Sequence, residues 1–428
     1  MAKEHVLVGY QQINAALKGD HARGLAEARE ATDASATVAG ESASLMAEFR
    51  VAIQELQKSE TNPRVLSSPQ NQMAAALQSY LAERSLETGK VERIGEGRLE
   101  AKFDPVDWAG WVKSFFTWFK RLRDGRHKLL PPTAAVPKID RKFRMAVLGD
   151  WGTGMYGAPI CAKTIEADQR GYGVLLHLGD VYYSGTEEEE RNRFLGLWPN
   201  VPTARNYSLN SNHEMYTGGY GYFDVLLGDR RFQQWQSSSY FAFENDDFLF
   251  IGLDTAYSEH DIVDDELAWL RGIIRSAAKK RVVLFSHHQP FSLLDQQGPK
   301  LQVKLAEFLD EKKIFAWYWG HEHRCVIYEQ HTSWGLHGRC IGHSGFPYYR
   351  GSVQDLPAAP SQKNCWRKIE QQAYAPAAIV LDGPNPYIAD DPNKYGPHGY
   401  LTLEVENGSI IEHVHDPNGN VLYDNLLA

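Results

Sequence analysis

The side chains that could do chemistry sit at the ends of apolar runs. Met145-Ala146-Val147-Leu148 leads into Gly149-Asp150-Trp151-Gly152-Thr153-Gly154, and Val174 to Leu178 leads into Gly179-Asp180-Val181-Tyr182-Tyr183. Asn206-Tyr207-Ser208-Leu209 precedes Asn210-Ser211-Asn212-His213-Glu214. Arg281 to Ser286 ends in His287-His288-Gln289-Pro290, and Ile314 to Trp319 ends in Gly320-His321-Glu322-His323-Arg324. Any one of these has a structural explanation. A strand-end Asp usually caps a turn, and a lone His beside a strand is usually a hydrogen-bonded core group. Five consecutive junctions that all supply oxygen or imidazole donors form a different kind of pattern.

A two-metal centre needs about seven or eight protein donors around cations roughly 3.5–4 Å apart, with one carboxylate bridging them. Asp180 stands in the middle of the set and suits the bridge. Imidazole suits Fe and Zn, whereas carboxylate and amide oxygens suit harder ions such as Mn. Asp, Asn, His and Tyr without cysteine therefore indicate a hydrolytic or Lewis-acid site, not an iron–sulfur or structural zinc site.

Parallel strands are the elements that bring such residues together, because ligands bind beyond the carboxyl ends of strands in α/β sheets. The apolar runs read as buried strands. Helices are expected over 187–197, 265–277 and 301–310. The glutamates of the first of these suit a solvated helix start. Tyr240 to Leu253 reads as two strands around the turn 244–247. Strands 400–404 and 410–413 flank Asn407-Gly408, a hairpin signal. Residues 351–398 are rich in Pro, Asn and Asp and read as an irregular excursion, a candidate lid.

The chain has 428 residues and a formal net charge of −9, so no basic field points to nucleic acid. No apolar stretch of about 20 residues is present, nor a secretory leader, so the expectation is a cytoplasmic protein. Cys161, Cys325, Cys340 and Cys365 show neither zinc spacing nor disulfide density. Residues 1–130 read as a mostly helical region of unknown role, with a hairpin around Gly95-Glu96-Gly97. Within it, 104–128 carries a stripe of Trp108, Trp111, Phe115, Trp118 and Phe119 among basic residues. The stripe suits docking onto the second domain or onto a membrane surface. Pro131 to Pro137 reads as the linker to a domain spanning 140–428.

The series Asp150-Trp151-Gly152, Gly179-Asp180-Val181-Tyr182-Tyr183, Asn212-His213-Glu214, Ser286-His287-His288 and Gly320-His321-Glu322-His323 resembles the calcineurin-like metallophosphoesterases. Gly152 stands where most of that superfamily has a His, and a tyrosine follows Gly-Asp-x-x. Both features resemble the purple acid phosphatase type. The resemblance implies a four-layer αββα sandwich and two metal ions. Fe(III) would be held by Asp150, Asp180, Tyr183 and His323. Fe(II), Zn(II) or Mn(II) would be held by Asp180, Asn212, His287 and His321. The alternative for Tyr183 is that it packs under the loop, with Tyr182 as its equal. His287 is favoured over His288 as the ligand because it directly ends the apolar run, but either register fits.

The implied reaction is in-line attack of a metal-bound hydroxide on a phosphate ester, most simply a monoester. His213 would orient the phosphate and protonate the leaving group, with Glu214 positioning its ring. His288, Arg324 and His343 are candidate substrate contacts. A phosphodiesterase acting on cyclic nucleotides, glycerophosphodiesters or phospholipid headgroups is the alternative within the enzymes. A catalytically silent binding protein with an inherited metal site is the alternative outside them. Ser211, where the family usually has Gly, is expected to be accommodated.

Overall fold

A computed structural model describes residues 91–94, 98–101 and 125–428, except 134, 155, 183, 278, 295–297, 347, 349, 351–364, 388–392 and 394. The aromatic stripe of residues 104–122 therefore lies outside the described residues. The hairpin expected around Gly95-Glu96-Gly97 is present as β1 (Val91–Ile94) paired antiparallel with β2 (Arg98–Ala101).

The parallel core forms where the apolar runs were read. β3 (Phe143–Leu148), β4 (Val174–His177) and β5 (Arg205–Ser208) pair in parallel. The C-terminal strands β14 (Tyr400–Glu406), β15 (Ser409–His415) and β16 (Val421–Leu427) complete this sheet in the order β16-β15-β14-β3-β4-β5. Asn407 and Gly408 make the β14–β15 turn at φ +51° and +75°, as a tight hairpin of this hand requires.

The second sheet has eight strands in the order β12-β13-β10-β11-β9-β8-β7-β6. Its members are β6 (Phe241–Glu244), β7 (Phe248–Leu253), β8 (Arg281–Ser286), β9 (Ile314–Trp319), β10 (Cys325–Tyr328), β11 (His337–Ile341), β12 (Trp366–Ile369) and β13 (Ala378–Leu381). β12 and β13 correct the reading of 351–398 as irregular. Part of that stretch is the edge of the large sheet, and residues 351–364 lie outside the described residues.

Alternation along the strands builds the layers. Met145 and Val147 of β3, Phe248 and Phe250 of β7, Val283 and Phe285 of β8, and Ala316 and Tyr318 of β9 share one core between the sheets. The intervening residues face outward. Ala146 and Leu148 pack with Cys161, Ala162 and Ile165 of α1 (Ala158–Ala167). Leu249, Ile251, Val282 and Leu284 pack with Leu267, Leu270 and Ile273 of α5 (Asp264–Ser276) and with Leu301 and Phe308. Both faces of each central strand are covered, so the strands read as continuous apolar runs. The result is the expected four-layer αββα sandwich.

Two helix readings change in detail. The helix expected over 187–197 is α2 (Glu187–Glu189), which runs directly into a π-helical turn, Glu190–Leu195. Its glutamates are not all solvated, since Glu189 and Glu190 are buried. Glu189 accepts hydrogen bonds from the backbone N–H groups of Ser184 and Thr186, both 3.1 Å, and pairs with Arg193 at 2.9 Å. Among the described residues Glu190 has no hydrogen-bond partner on either oxygen, and burial followed by the Glu214 charge pushes its carboxyl well above the ordinary range. The helix expected over 301–310 is broken at Leu305 into α6 (Pro299–Lys304) and α7 (Ala306–Asp310). Two shorter helices, α3 (Asn212–Met215) and α4 (Arg230–Gln233), follow β5.

Candidate metal centre

The carboxyl ends of β3, β4 and β5 in one sheet and of β8 and β9 in the other meet at one edge of the sandwich. Sharp turns deliver the polar residues there. Asp150, Asp180, His321 and His323 all have φ between +53° and +77°, a region that non-glycine residues avoid. Four such backbones in one place mark a site where the surroundings sustain strain.

Asp180 is central. Its Oδ1 lies 3.2 Å from His287 Nε2, and its Oδ2 lies 2.9 Å from the Tyr182 hydroxyl and 3.7 Å from His323 Nε2. Its backbone N–H donates to Glu214 Oε1 at 3.1 Å. Ser211 Oγ sits in hydrogen-bond contact with both Asp180 Oδ1 and Glu214 Oε2. The Ser211 side chain also packs on Gly179, where an added Cβ would come 2.8 Å from Ser211 Cβ. Serine in place of glycine at 211 is thus accommodated by a glycine opposite.

On one side of Asp180 four acceptors converge. His287 Nδ1 donates to the Leu178 carbonyl at 2.8 Å, which leaves the lone pair on Nε2. That Nε2 lies 3.0 Å from Asn212 Oδ1 and 3.2 Å from His321 Nδ1. Asn212 Nδ2 donates to the Tyr216 hydroxyl at 3.0 Å, which turns Oδ1 inward. On the other side, the Tyr182 hydroxyl lies 2.7 Å from His323 Nε2, and His323 Nε2 lies 3.6 Å from Asp150 Oδ1. Asp150 Oδ1 accepts the His321 backbone N–H at 3.0 Å, while its buried Oδ2 has no hydrogen-bond partner among the described residues. Among the described residues, His and carboxylate ligand atoms within 4.8 Å of one another form three groups: Asp150, Asp180 and His323; Asp180, His287 and His321; and His260, His288 and His321.

The electrostatics follow from burial and crowding. Burial and then the Asp180 charge push Asp150 well above the ordinary carboxylate range. Burial also penalises Asp180, yet His287 and His213 hold it well below that range. Burial, reinforced for His321 by the neighbouring imidazole of His287, lowers His287 and His321, so their nitrogens are available as lone-pair donors at neutral pH. Burial and the Asp180 and Asp150 charges push the Tyr182 hydroxyl well above the ordinary phenol range. A pocket that gathers lone pairs at about 3 Å, with a buried carboxylate oxygen unpaired, fits divalent or trivalent cations.

The other expected residues fall as follows. Tyr183 lies outside the described residues; among the described residues, the Tyr182 hydroxyl enters the cluster. His213 is buried with its ring edge-on to Tyr182, centroids 4.0 Å apart, and beside Tyr216 at 4.7 Å. Glu214 ties the Asp180 turn to Ser211 through its two oxygens. His288 is buried beside His287 and His321. The Arg324 guanidinium lies 5.2 Å from the centre of the Tyr348 ring. His343 is buried on the side of Gly399, where an added Cβ would come 2.8 Å from its Nε2, and neither ring nitrogen has a hydrogen-bond partner.

Sequence reasoning missed three participants. Tyr182 was weighed only as the equal of Tyr183. Asp254, directly after β7, gives a sixth strand end with a polar side chain; it accepts from Asn210 Nδ2 at 3.1 Å and braces the β5 and β7 loops. The strand-end pattern could have found it. His260 lies well beyond the strand end and carries no such signal.

Residues 143–325 match the family model for calcineurin-like phosphoesterases. No curated protein matches the chain in sequence. Among solved structures the chain is similar to the inner membrane complex anchor of Plasmodium, at 14% identity and a TM-score of 0.47, over 67% of this chain and 89% of that one. It is also similar to a purple acid phosphatase from yellow lupin (Lupinus luteus) seeds, at 13% identity and a TM-score of 0.46, over 68% of this chain. The match spans 54% of the lupin enzyme. A dimetal phosphatase from Danio rerio is similar at 12% identity and a TM-score of 0.42, over 68% of this chain and 99% of that one. The family match covers residues 143–325, which run from β3 to the start of β10 and include the five strand ends that meet at the site.

Proposed function

We propose that the chain is a dinuclear-metal phosphohydrolase of the purple acid phosphatase type, acting on phosphate monoesters. The observation that carries the reading is the convergence of Asp180 Oδ1, Asn212 Oδ1, His287 Nε2 and His321 Nδ1, with hydrogen bonds at Leu178 and Tyr216 turning two of the four lone pairs inward. Those four residues would hold one cation. Asp150, Asp180, Tyr182 and His323 would hold the other, with Tyr182 taking the role first read for Tyr183. Two cations there would supply an activated water and charge neutralisation for a phosphoryl group. The protein's part is positioning. The Ser211 hydroxyl and the Glu214 carboxyl fix the turn that carries Asp180, and Tyr182 and Tyr216 hold the His213 ring. His213 can then orient a phosphoryl oxygen and deliver a proton to the leaving oxygen. The buried thiols of Cys161, Cys325 and Cys340 suit a reducing compartment.

The test uses the full chain loaded with iron and zinc. Two metals per chain, hydrolysis of p-nitrophenyl phosphate, and a visible band in air that bleaches on strong reduction are expected. The band should vanish in Tyr182→Phe and persist in Tyr183→Phe. A colourless, metal-loaded, active protein would remove the purple type and leave the hydrolase. Two bound metals without hydrolysis of any phosphate ester would sink the reading.

A further inference from the structure

The loop after β7 brings a histidine to the metal cluster that no strand end supplies. His260 lies with its ring centroid 4.0 Å from that of His288 and 5.5 Å from that of His321. Glu259 and His260 are consecutive residues at φ +46° and +61°, the same strained backbone region that the four turn residues Asp150, Asp180, His321 and His323 occupy. The loop is tied down on both sides: Arg126 Nη1 donates to the Tyr257 carbonyl at 2.5 Å, and Lys300 Nζ donates to the Glu259 carbonyl at 3.2 Å.

Three imidazoles in contact could hold another cation or could present N–H groups. The hydrogen bonds of Thr255 decide. Its buried hydroxyl oxygen accepts the His288 backbone N–H at 3.0 Å and lies 2.9 Å from His288 Nδ1. Among the described residues, the hydroxyl proton has Nδ1 as its acceptor, so the His288 proton sits on Nε2. His287 is fixed in the opposite way, with its proton on Nδ1 facing Leu178. Two adjacent histidines are therefore set in opposite tautomers, one offering a lone pair and the other an N–H. His288 Nε2 and His260 Nδ1 are both buried and have no hydrogen-bond partner among the described residues. A neutral imidazole can place its proton on either nitrogen, so His260 can present Nδ1–H beside His288.

We propose that His260 and His288 form a specificity subsite, flanking the His321 side of the metal cluster, for a second phosphoryl group attached to the reacting one. This rests on the dinuclear reading. The chemistry favours a phosphoryl group because its non-bridging oxygens can accept two N–H groups at once. The bridging oxygen of a simple ester arm is a poorer acceptor. The preferred substrates are then phosphate esters or anhydrides carrying two adjacent phosphoryl groups.

The probes are ADP and AMP, which differ by one phosphoryl group, so the nucleoside cancels. Binding of each to the metal-loaded full chain is measured by titration calorimetry, with metal counted before and after. The wild type is expected to bind ADP roughly tenfold more tightly than AMP, as two hydrogen bonds to a charged group allow. His260→Ala and Thr255→Val should each reduce that ratio toward one while two metals per chain remain. His260 is on the rim, so its variant keeps the core intact. Equal binding of the two nucleotides by the wild type, or an unchanged ratio in both variants, overturns the subsite. So does a third metal in the wild type that is lost in His260→Ala, because the cluster would then be a cation site. Hydrolysis of p-nitrophenyl phosphate is followed in parallel. Its absence with the nucleotide preference intact would end the catalytic reading and leave the subsite supported.

Discussion

Gly342 offers a way to remove one cation and spare the other. It packs against the unpaired carboxylate oxygen of Asp150: a Cβ built there would come 2.3 Å from Asp150 Oδ2 and 3.0 Å from the backbone nitrogen of His323. Ordinary carbon–oxygen contact begins near 3.4 Å, so Gly342→Ala must push the carboxylate by roughly 1 Å. The φ at Gly342 is not among the positive values, so the backbone itself tolerates alanine. Metal sites hold their ligands within about 0.2 Å, and disturbing a group that orients a ligand typically costs 10–100-fold in affinity. A displacement of about 1 Å in the ligand itself should cost at least the upper end of that range. The three atoms nearest that Cβ belong to Asp150 and His323 and not to His287, Asn212 or His321, so the cation of those three should stay. Equilibrium dialysis of Gly342→Ala with elemental analysis should return one metal per chain where the wild type returns two, with thermal unfolding little changed. Two metals retained at wild-type affinity would refute the assignment of Asp150 to the cluster. Loss of both together would show that Asp150 does not belong to one cation alone.

Replacing His213 with Ala should leave metal content near normal and depress turnover by roughly 10²–10⁴-fold; coincident metal loss would contradict its place beside the cluster. Asp180→Asn should weaken both metals together, which elemental analysis reads directly. Burial holds His343 at about 3 and His398 and His415 at about 4, below their ordinary 6.5. A folded-state value below the unfolded one means stability that is full above pH 6.5 and is lost as pH falls toward 4 and then 3. One such histidine carries on the order of 3 kcal/mol over that interval. Urea midpoints should therefore drop steadily from pH 7 to pH 5, and a flat profile would show that these rings are not buried neutral. Gly272 is exposed within α5, with nothing within 4 Å of an added Cβ. Gly272→Ala should raise stability by roughly 0.5–1 kcal/mol in the same unfolding assay.

The parallel strands were legible because burial on both faces writes them as unbroken apolar runs, and β8 and β9 end at Ser286 and Trp319 as read. The strand-end chemistry was legible for the same reason: polar residues after such a run have one place to go. β10 to β13 were not read. Their burial depends on neighbours far away in sequence, and β10, β12 and β13 have only four residues each. That the Tyr182 hydroxyl enters the cluster turns on the path of a tight loop, not on residue type. His260 was invisible because a left-handed backbone at two non-glycine residues cannot be foreseen from composition. The burial of Glu189 and Glu190 was likewise not legible, because it arises where α2 runs into the π-helical turn.

The strand that carries Asp150 lies between β4, which follows it closely, and β14, with Val405 facing Phe143 and Leu401 facing Val147. On the ribosome, β3, β4 and β5 emerge long before β14 exists. Until then the β3 flank is an apolar strand edge with unpaired backbone groups, the kind of surface that recruits chaperones or other chains. The late pairing also makes the contact order of this sheet high, and closure of the long intervening loop should slow folding. Nascent chains stalled before β14 should therefore be trapped as aggregation-prone species with an open β3 flank.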